Sequence, residues 1–222
     1  MHKESKIRVV ICQSRLLRPD PNYLNEQADI EEEVRAIVVI WMIHVCKLSS
    51  CKHEIPFLAT NLLDRYLSQV IVNKKLMQLV AAACILIASK WEEKPYLSGD
   101  KLMEFAARSF TKDELKKTEV LVLVELNFRI LICSPLRVME SVCDEYSLGE
   151  FEMEHSKHIC RVALSEYKVL AFNRDEVAIA ALFLSLELRK KSTECLRHLC
   201  ADVGIEQMKL EECIQVLRQL EQ

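Results

Sequence analysis

Residues 76–90, LMQLVAAACILIASK, decide the fold. Between Leu76 and Ala88 the only strongly polar side chain is Gln78, so a helix here has no face for water. A helix that is apolar all round is a buried one. Its thirteen residues are too few to span a bilayer, so its surroundings are other helices. Ala81, Ala82 and Ala83 let those neighbours approach closely. Asn73 offers an N-cap, and Lys90 closes the far end, where a cation suits the helix dipole. The expectation is a central helix wrapped by others.

On the N-terminal side, Asp29 reads as the cap of a first helix with Glu31, Glu32 and Glu33 in its first turn. Ile37, Ile40, Trp41, His44 and Val45 follow at helical spacing until Ser49 and Ser50 break it. A second helix runs over about 55–68, with an apolar stripe of Phe57, Leu58, Leu62, Leu63, Tyr66 and Leu67. The central helix is third. After the EEKPYLSGD turn, a short fourth helix holds Leu102, Met103, Phe105 and Ala106. Thr111 and Glu114 then form a capping box for a fifth, whose apolar side carries Leu115, Val122, Leu123 and Leu126.

NFRILICSP reads as a linker, with Ser134 capping and Pro135 at the first helical position. Five further helices are expected at about 135–146, 150–170, 174–190, 192–203 and 205–220, with Asn173 and Glu176 as an Asn-started capping box. AIAALFLSLELRK is similar to AAACILIASK, and EQMKLEECIQVLRQL to ELKKTEVLVLVELNF, which amounts to a weak internal repeat. Residues 3–17 add a short helix before the RPDPN turn, although IRVVIC also has strand character. The predicted fold is all-α: two tandem five-helix units, each round a central buried helix, with a short N-terminal helix. The expected divisions are 1–28, 29–132 and 133–222.

Composition agrees with this reading. Half of the 222 residues are hydrophobic and 28% are charged, the balance of a globular chain. Three glycines, and five prolines of which the last is Pro135, suit helices joined by short loops. A net charge of −3 gives no electrostatic reason to expect nucleic acid as partner. MHKESKIRVV lacks the apolar core and cleavage site of a signal peptide, and no membrane partner is expected. The ten cysteines form no CxxC, and Cys46, Cys84, Cys160 and Cys213 lie in apolar runs, as free buried thiols do. A reduced intracellular protein, nuclear and/or cytoplasmic, is the expectation.

Little in the chain resembles catalytic machinery. Isolated glycines allow no phosphate-binding loop. Cys195, His198 and Cys200, like Cys51 and His53, lack a standard zinc spacing, and Glu92–Glu93 reads as a solvated helix end. No metal, cofactor or catalytic residue is expected, and the chain reads as a binding module rather than an enzyme. One constellation stands out. Lys90 ends an otherwise apolar helix, and Glu119 interrupts the fifth just before Val120, Leu121 and Val122. Side by side, these helices would bring both charges to the rim of one apolar surface. There the pair is either an ordinary intramolecular salt bridge or a means of satisfying a partner's helix end.

At these residues the sequence resembles the cyclin family. VRAIVVIW (34–41) is similar to the family's MRAIL motif and its following tryptophan, LLDRYLS (62–68) to its second-helix signature, and ASKWEE (88–93) to the end of its third helix. TEVLVLVELNF (118–128) resembles the fifth helix. The resemblance is specific over about 20–132, and the remainder matches a second cyclin fold in helix pattern. WMIHVC and LLDRYLS lean towards D-type cyclins, NYLNEQADIEEEVRAI towards mitotic ones.

The resemblance implies a heterodimer with a cyclin-dependent protein kinase, in which this chain binds and activates the kinase in cell-cycle control. It assigns kinase binding to Lys90 and Glu119, with Ile87, Leu123, Phe128 and Ile130 lining an apolar pocket and Trp91 at its edge. It makes Arg35 and Asp64 a structural ion pair, and Val34, Ile37, Val38, Trp41 and Gln78 a groove for Arg-x-Leu substrates or inhibitors. Valine replaces the motif's methionine, and His44 stands where an acid often meets the peptide's basic residue. The alternatives are a transcription-associated or nutrient-signalling cyclin or, from another class, a transcription factor IIB-like DNA-binding protein. The last would want a zinc ribbon and a basic face, and the chain shows neither.

Overall fold

The computed structural model describes residues 6–221 and divides them into two compact units. Among the described residues all regular structure is helical, with no strand. Residues 3–5 of the expected N-terminal helix lie outside the described residues.

One unit comprises residues 17–131 together with 164–167. It contains α2 (Glu32–Leu48), α3 (Glu54–Leu67), α4 (Met77–Glu92), α5 (Gly99–Phe105) and α6 (Lys112–Glu125). α4 is central, as its sequence requires, and packs against α3, α6 and α2. Ala81, Ala82 and Ala83 are fully buried, and Ile85, Leu86 and Ile87 nearly so. Each such aliphatic side chain contributes about 1.5–3 kcal/mol through burial. The entry to α4 differs from expectation: Asn73 Oδ1 accepts from Lys75 N at 2.9 Å and so caps a 3-10 turn, Lys74–Leu76, that leads into the helix. At the far end the helix continues past Lys90 through Trp91 to Glu92.

Two further expectations need correction. Asp29 does not cap α2, which begins at Glu32 after an extended Glu31; the Asp29 carboxylate instead accepts from Asn73 Nδ2 at 3.4 Å. The stripe read for α3 understates its burial, because every residue from Ile55 to Leu67 is buried. Three of its polar members are held by hydrogen bonds: Asn61 donates to the Leu17 carbonyl at 3.3 Å, and Asp64 and Arg65 have partners described below, whereas Thr60 Oγ1 and Asn61 Oδ1 are buried without a hydrogen-bond partner. The Thr111–Glu114 capping box of α6 is present.

The other unit comprises, of the described residues, 6–16, 132–163 and 168–221. It holds α1 (Lys6–Ser14), α7 (Pro135–Tyr146), α8 (Glu150–Ala163), α9 (Arg174–Leu188), α10 (Glu194–Val203) and α11 (Gln207–Leu220). α9 is central and buries every residue from Asp175 to Leu186 against α7, α8 and α11. Ser134 and Pro135 start α7 as expected, and Glu176 accepts from the Asn173 backbone N–H at 2.6 Å. α1 is helical despite its β-branched residues: Ile7 and Ile11 are buried, and α1 lies on α7 and α9. Its end is fixed by Ser14 and Arg15, which donate to the buried Asp175 carboxylate at 3.1 and 2.8 Å. α8 stops at Ala163 rather than near 170, and a 3-10 turn, Tyr167–Ala171, follows.

Only three glycines serve so many helix ends, so other residues take the left-handed positions that close them. Ser50, Asn127, Ser147 and Lys190 all have φ between 50° and 54°. Each sits where a Schellman turn ordinarily prefers glycine.

Candidate partner-binding surface

α4 and α6 pack together and bring Lys90 and Glu119 into contact. Lys90 Nζ donates to Glu119 Oε1 at 2.6 Å and to Oε2 at 2.8 Å. The lysine side chain is 39% exposed and the glutamate 13%, so the pair lies at the rim of the protein surface. Lys90 Nζ also stands 5.7 Å from the centroid of the Tyr96 ring. An exposed ion pair contributes only about 0–1 kcal/mol to stability.

The surroundings are apolar. Trp91, Val120, Leu121, Val124 and Phe128 are each more than half exposed. Val120 and Val124 share one face of α6, and Glu119 and Leu123 share the adjacent one, because residues four apart stack along a helix. The C-terminus of α6 extends this surface. Phe128 N donates to Leu123 O and Asn127 N to Val124 O, both at 2.9 Å, which is a Schellman turn that sets Phe128 against Leu123. The turn needs left-handed backbone at Asn127, φ 50°. Of the expected pocket residues, Trp91 and Phe128 are open, Leu123 and Ile130 half-buried, and Ile87 buried at 3%.

Arg65 holds the segment after that turn, a role its sequence position does not announce. Only 5% exposed, it donates through NH1 to the Arg129 carbonyl at 2.7 Å. Burial, with the Arg129 charge nearby, holds its guanidinium below the usual range, so the cation is retained at some cost. The gain is a fixed path for Phe128 and Ile130.

The expected groove residues lie along α2 and α4. Ile37 is 67% exposed, and Val34, Val38, Trp41 and Gln78 are half-buried. Trp41 Nε1 donates to the Phe105 carbonyl at 3.4 Å, and Gln78 Oε1 accepts from Ser109 Oγ at 3.1 Å. His44 is exposed one turn along α2 from Ile40.

Arg35 and Asp64 meet in the interior of this unit, with side chains 1% and 2% exposed. Arg35 Nε and NH2 donate to the two carboxylate oxygens at 2.8 Å each, and NH1 donates to the Leu164 and Ser165 carbonyls at 3.1 and 3.2 Å. Tyr23 adds a third member: its hydroxyl donates to Asp64 Oδ1 at 2.8 Å, and its ring meets Tyr167 edge-on at 5.4 Å. Burial, and then the Asp64 carboxylate, push the Tyr23 hydroxyl well up, so it stays a donor. None of the ten cysteines forms a disulfide, and among the described residues no cluster of His, Cys, Asp or Glu could hold a metal ion.

This architecture matches a known family. The N-terminal cyclin domain matches over residues 6–131 and the C-terminal cyclin domain over residues 126–222. The chain belongs to the cyclin family. The G2/mitotic-specific cyclin-B3 of Gallus gallus is 30% identical over 171 residues, which are 76% of this chain and 42% of that relative. This cyclin therefore spans less than half the length of that curated relative. Among solved structures, a viral cyclin from herpesvirus saimiri superposes with a TM-score of 0.85 at 19% identity, over 96% of this chain and 95% of that one. A chain of the yeast RNA Pol II CTD kinase CTDK-1 complex superposes with a TM-score of 0.57 at 15% identity, over 83% of this chain and 62% of that one. Among the described residues no helix is long and apolar enough to cross a membrane.

Proposed function

We propose that this cyclin binds and activates a cyclin-dependent protein kinase, in cell-cycle control, through the surface formed by α4 and α6. The observation that carries the reading is a hydrogen-bonded Lys90–Glu119 pair set among exposed Trp91, Val120, Val124 and Phe128. An apolar patch rimmed by charge marks an interaction site on a soluble fold. Here a partner's apolar helix would cover the patch, and Lys90 and Glu119 would hydrogen-bond its backbone near a helix end. The kinase complex among the structural neighbours supports a partner of this class. The cyclin supplies no catalytic group in this reading. It binds the active arrangement of the kinase more tightly than the inactive one, and so shifts the population between them. Ile37, Val34, Val38, Trp41 and Gln78 are proposed as a separate docking strip for Arg-x-Leu segments.

The test adds purified chain to a panel of monomeric cyclin-dependent kinases, beside a folded Lys90→Ala/Glu119→Ala double variant. Hydrogen bonds to charged groups contribute about 1.5–3 kcal/mol each, so the variant should bind at least about tenfold more weakly. Equal activation by both proteins would remove this surface from the mechanism. Failure of the wild-type chain to bind any kinase in the panel would remove the kinase reading itself.

A further inference from the structure

The C-terminus of α2 places two free thiols together, and nothing in the partner-binding reading uses them. α2 ends in a Schellman turn: Cys51 N donates to Cys46 O at 2.9 Å and Ser50 N to Lys47 O at 3.1 Å, with Ser50 left-handed at φ 53°. In this turn the residue before the last helical turn and the second residue beyond the cap bring their side chains into contact. Ordinarily that contact is between hydrophobic residues. Here both are cysteines.

Their environments differ in the way a reactive pair requires. Cys46 is buried at 3%, and Cys51 is partly exposed. Hydrogen bonding with Cys46 holds the Cys51 thiol below its ordinary range, against the opposing effects of burial and Glu93 and with help from Lys101. The same contact, together with burial, pushes the Cys46 thiol up. Cys51, the thiol that a peroxide can reach from solvent, is the nucleophile, and Cys46, buried behind it in the same turn, is the resolving thiol. The turn is also held in place: Lys52 N donates to Glu93 Oε2 at 3.2 Å, and Lys52 Nζ to the Glu92 carbonyl at 2.5 Å.

We propose that Cys51 and Cys46 are an oxidative modification site that closes to a reversible disulfide on exposure to a hydroperoxide. The Cys51 thiolate attacks the distal peroxide oxygen, the O–O bond breaks, and the leaving oxygen takes up a proton. Cys51 is then a sulfenic acid. The Cys46 sulfur attacks the Cys51 sulfur, the S–S bond forms, and the S–O bond breaks. The hydroxyl leaves with the Cys46 proton as water, so two electrons have passed from the sulfurs to the peroxide.

The test treats the reduced 222-residue chain with hydrogen peroxide, blocks remaining thiols with N-ethylmaleimide and digests with trypsin. Cleavage after Arg35, Lys47 and Lys52 puts the two cysteines on separate peptides, 36–47 and 48–52. The expected result is a disulfide-linked 36–47/48–52 pair, with loss of two of the ten alkylatable thiols before any others, reversed by dithiothreitol. In Cys46→Ser, Cys51 should instead accumulate as a sulfenic acid that dimedone captures. Alkylatable Cys46 and Cys51 after other cysteines have oxidised would overturn the proposal. So would sulfinic acid at Cys51 in the wild-type chain, or Cys51 linked to another cysteine.

Discussion

Replacing Arg35 with alanine is the sharpest test of how the N-terminal cyclin domain is held together. Arg35 makes four hydrogen bonds, two to Asp64 and one each to the Leu164 and Ser165 carbonyls. Truncation leaves the buried Asp64 with the Tyr23 hydroxyl and no cation, and it removes a donor from two carbonyls. Breaking a buried pair on one side costs about 3–5 kcal/mol, a large share of the roughly 5–15 kcal/mol that holds a typical domain folded. For a chain of this size, 1 kcal/mol moves the melting temperature by about 2–4 °C, so a fall of about 6–20 °C is expected in Arg35→Ala. Arg35→Lys keeps the charge but loses the two-pronged geometry, and should fall between wild type and alanine. Urea and thermal unfolding followed by far-UV circular dichroism measure both. A loss under about 1 kcal/mol for Arg35→Ala would show that the pair is not the anchor argued here. A lysine variant equal to wild type would show that charge alone does the work.

Arg65→Ala should release the Arg129 carbonyl, raising amide hydrogen exchange over residues 128–131 and weakening kinase capture without touching Lys90 or Glu119; unchanged exchange there would assign Arg65 to the interior alone. Lys190 is exposed and left-handed at φ 54°, so Lys190→Gly should stabilise the C-terminal unit by about 1 kcal/mol, read as a higher urea midpoint; a loss would mean the lysine side chain makes up for its backbone strain. The backbone N–H of Thr111, and then its hydroxyl, hold the Glu114 carboxyl below its ordinary range. Because this folded-state value is lowered, the stabilisation is present above the unfolded carboxylate value and is lost as pH falls through the lowered one. Glu114→Gln should flatten that acid limb in a pH series of α6 helicity, and an unchanged limb would place the titration elsewhere.

What could be read in the sequence, and what could not, divides along a physical line. The two central helices were legible because neither α4 nor α9 offers a polar face, and all-round apolarity has one packing solution. Helix starts with local chemistry, at Thr111, Ser134 and Asn173, were legible because the capping groups lie within three residues of one another. Lys90 and Glu119 could be paired because each interrupts an apolar run on helices that must touch. The full burial of α3 could not be read this way. Asn61 and Arg65 look like a solvent face, and polarity in a sequence ordinarily means exposure; Asp64 is assigned to its ion pair only through the family resemblance.

The polar groups of this interior can be buried because they have partners, but the partners lie far off in the chain and most are backbone carbonyls: Leu17 for Asn61, Arg129 for Arg65, and Leu164 and Ser165 for Arg35, whose guanidinium in turn holds Asp64. A carbonyl is the same group at every residue, so no residue type marks the receiving end and no spacing rule can find it. The surface proposed to face the kinase depends on one such bond. The Schellman turn that places Phe128 is local, but the path of the chain beyond it is held by Arg65, 64 residues away. Motif residues alone would therefore misjudge this surface: a variant that keeps Lys90, Glu119 and Phe128 but loses Arg65 retains every side chain of the expected contact and loses the backbone path that aligns them.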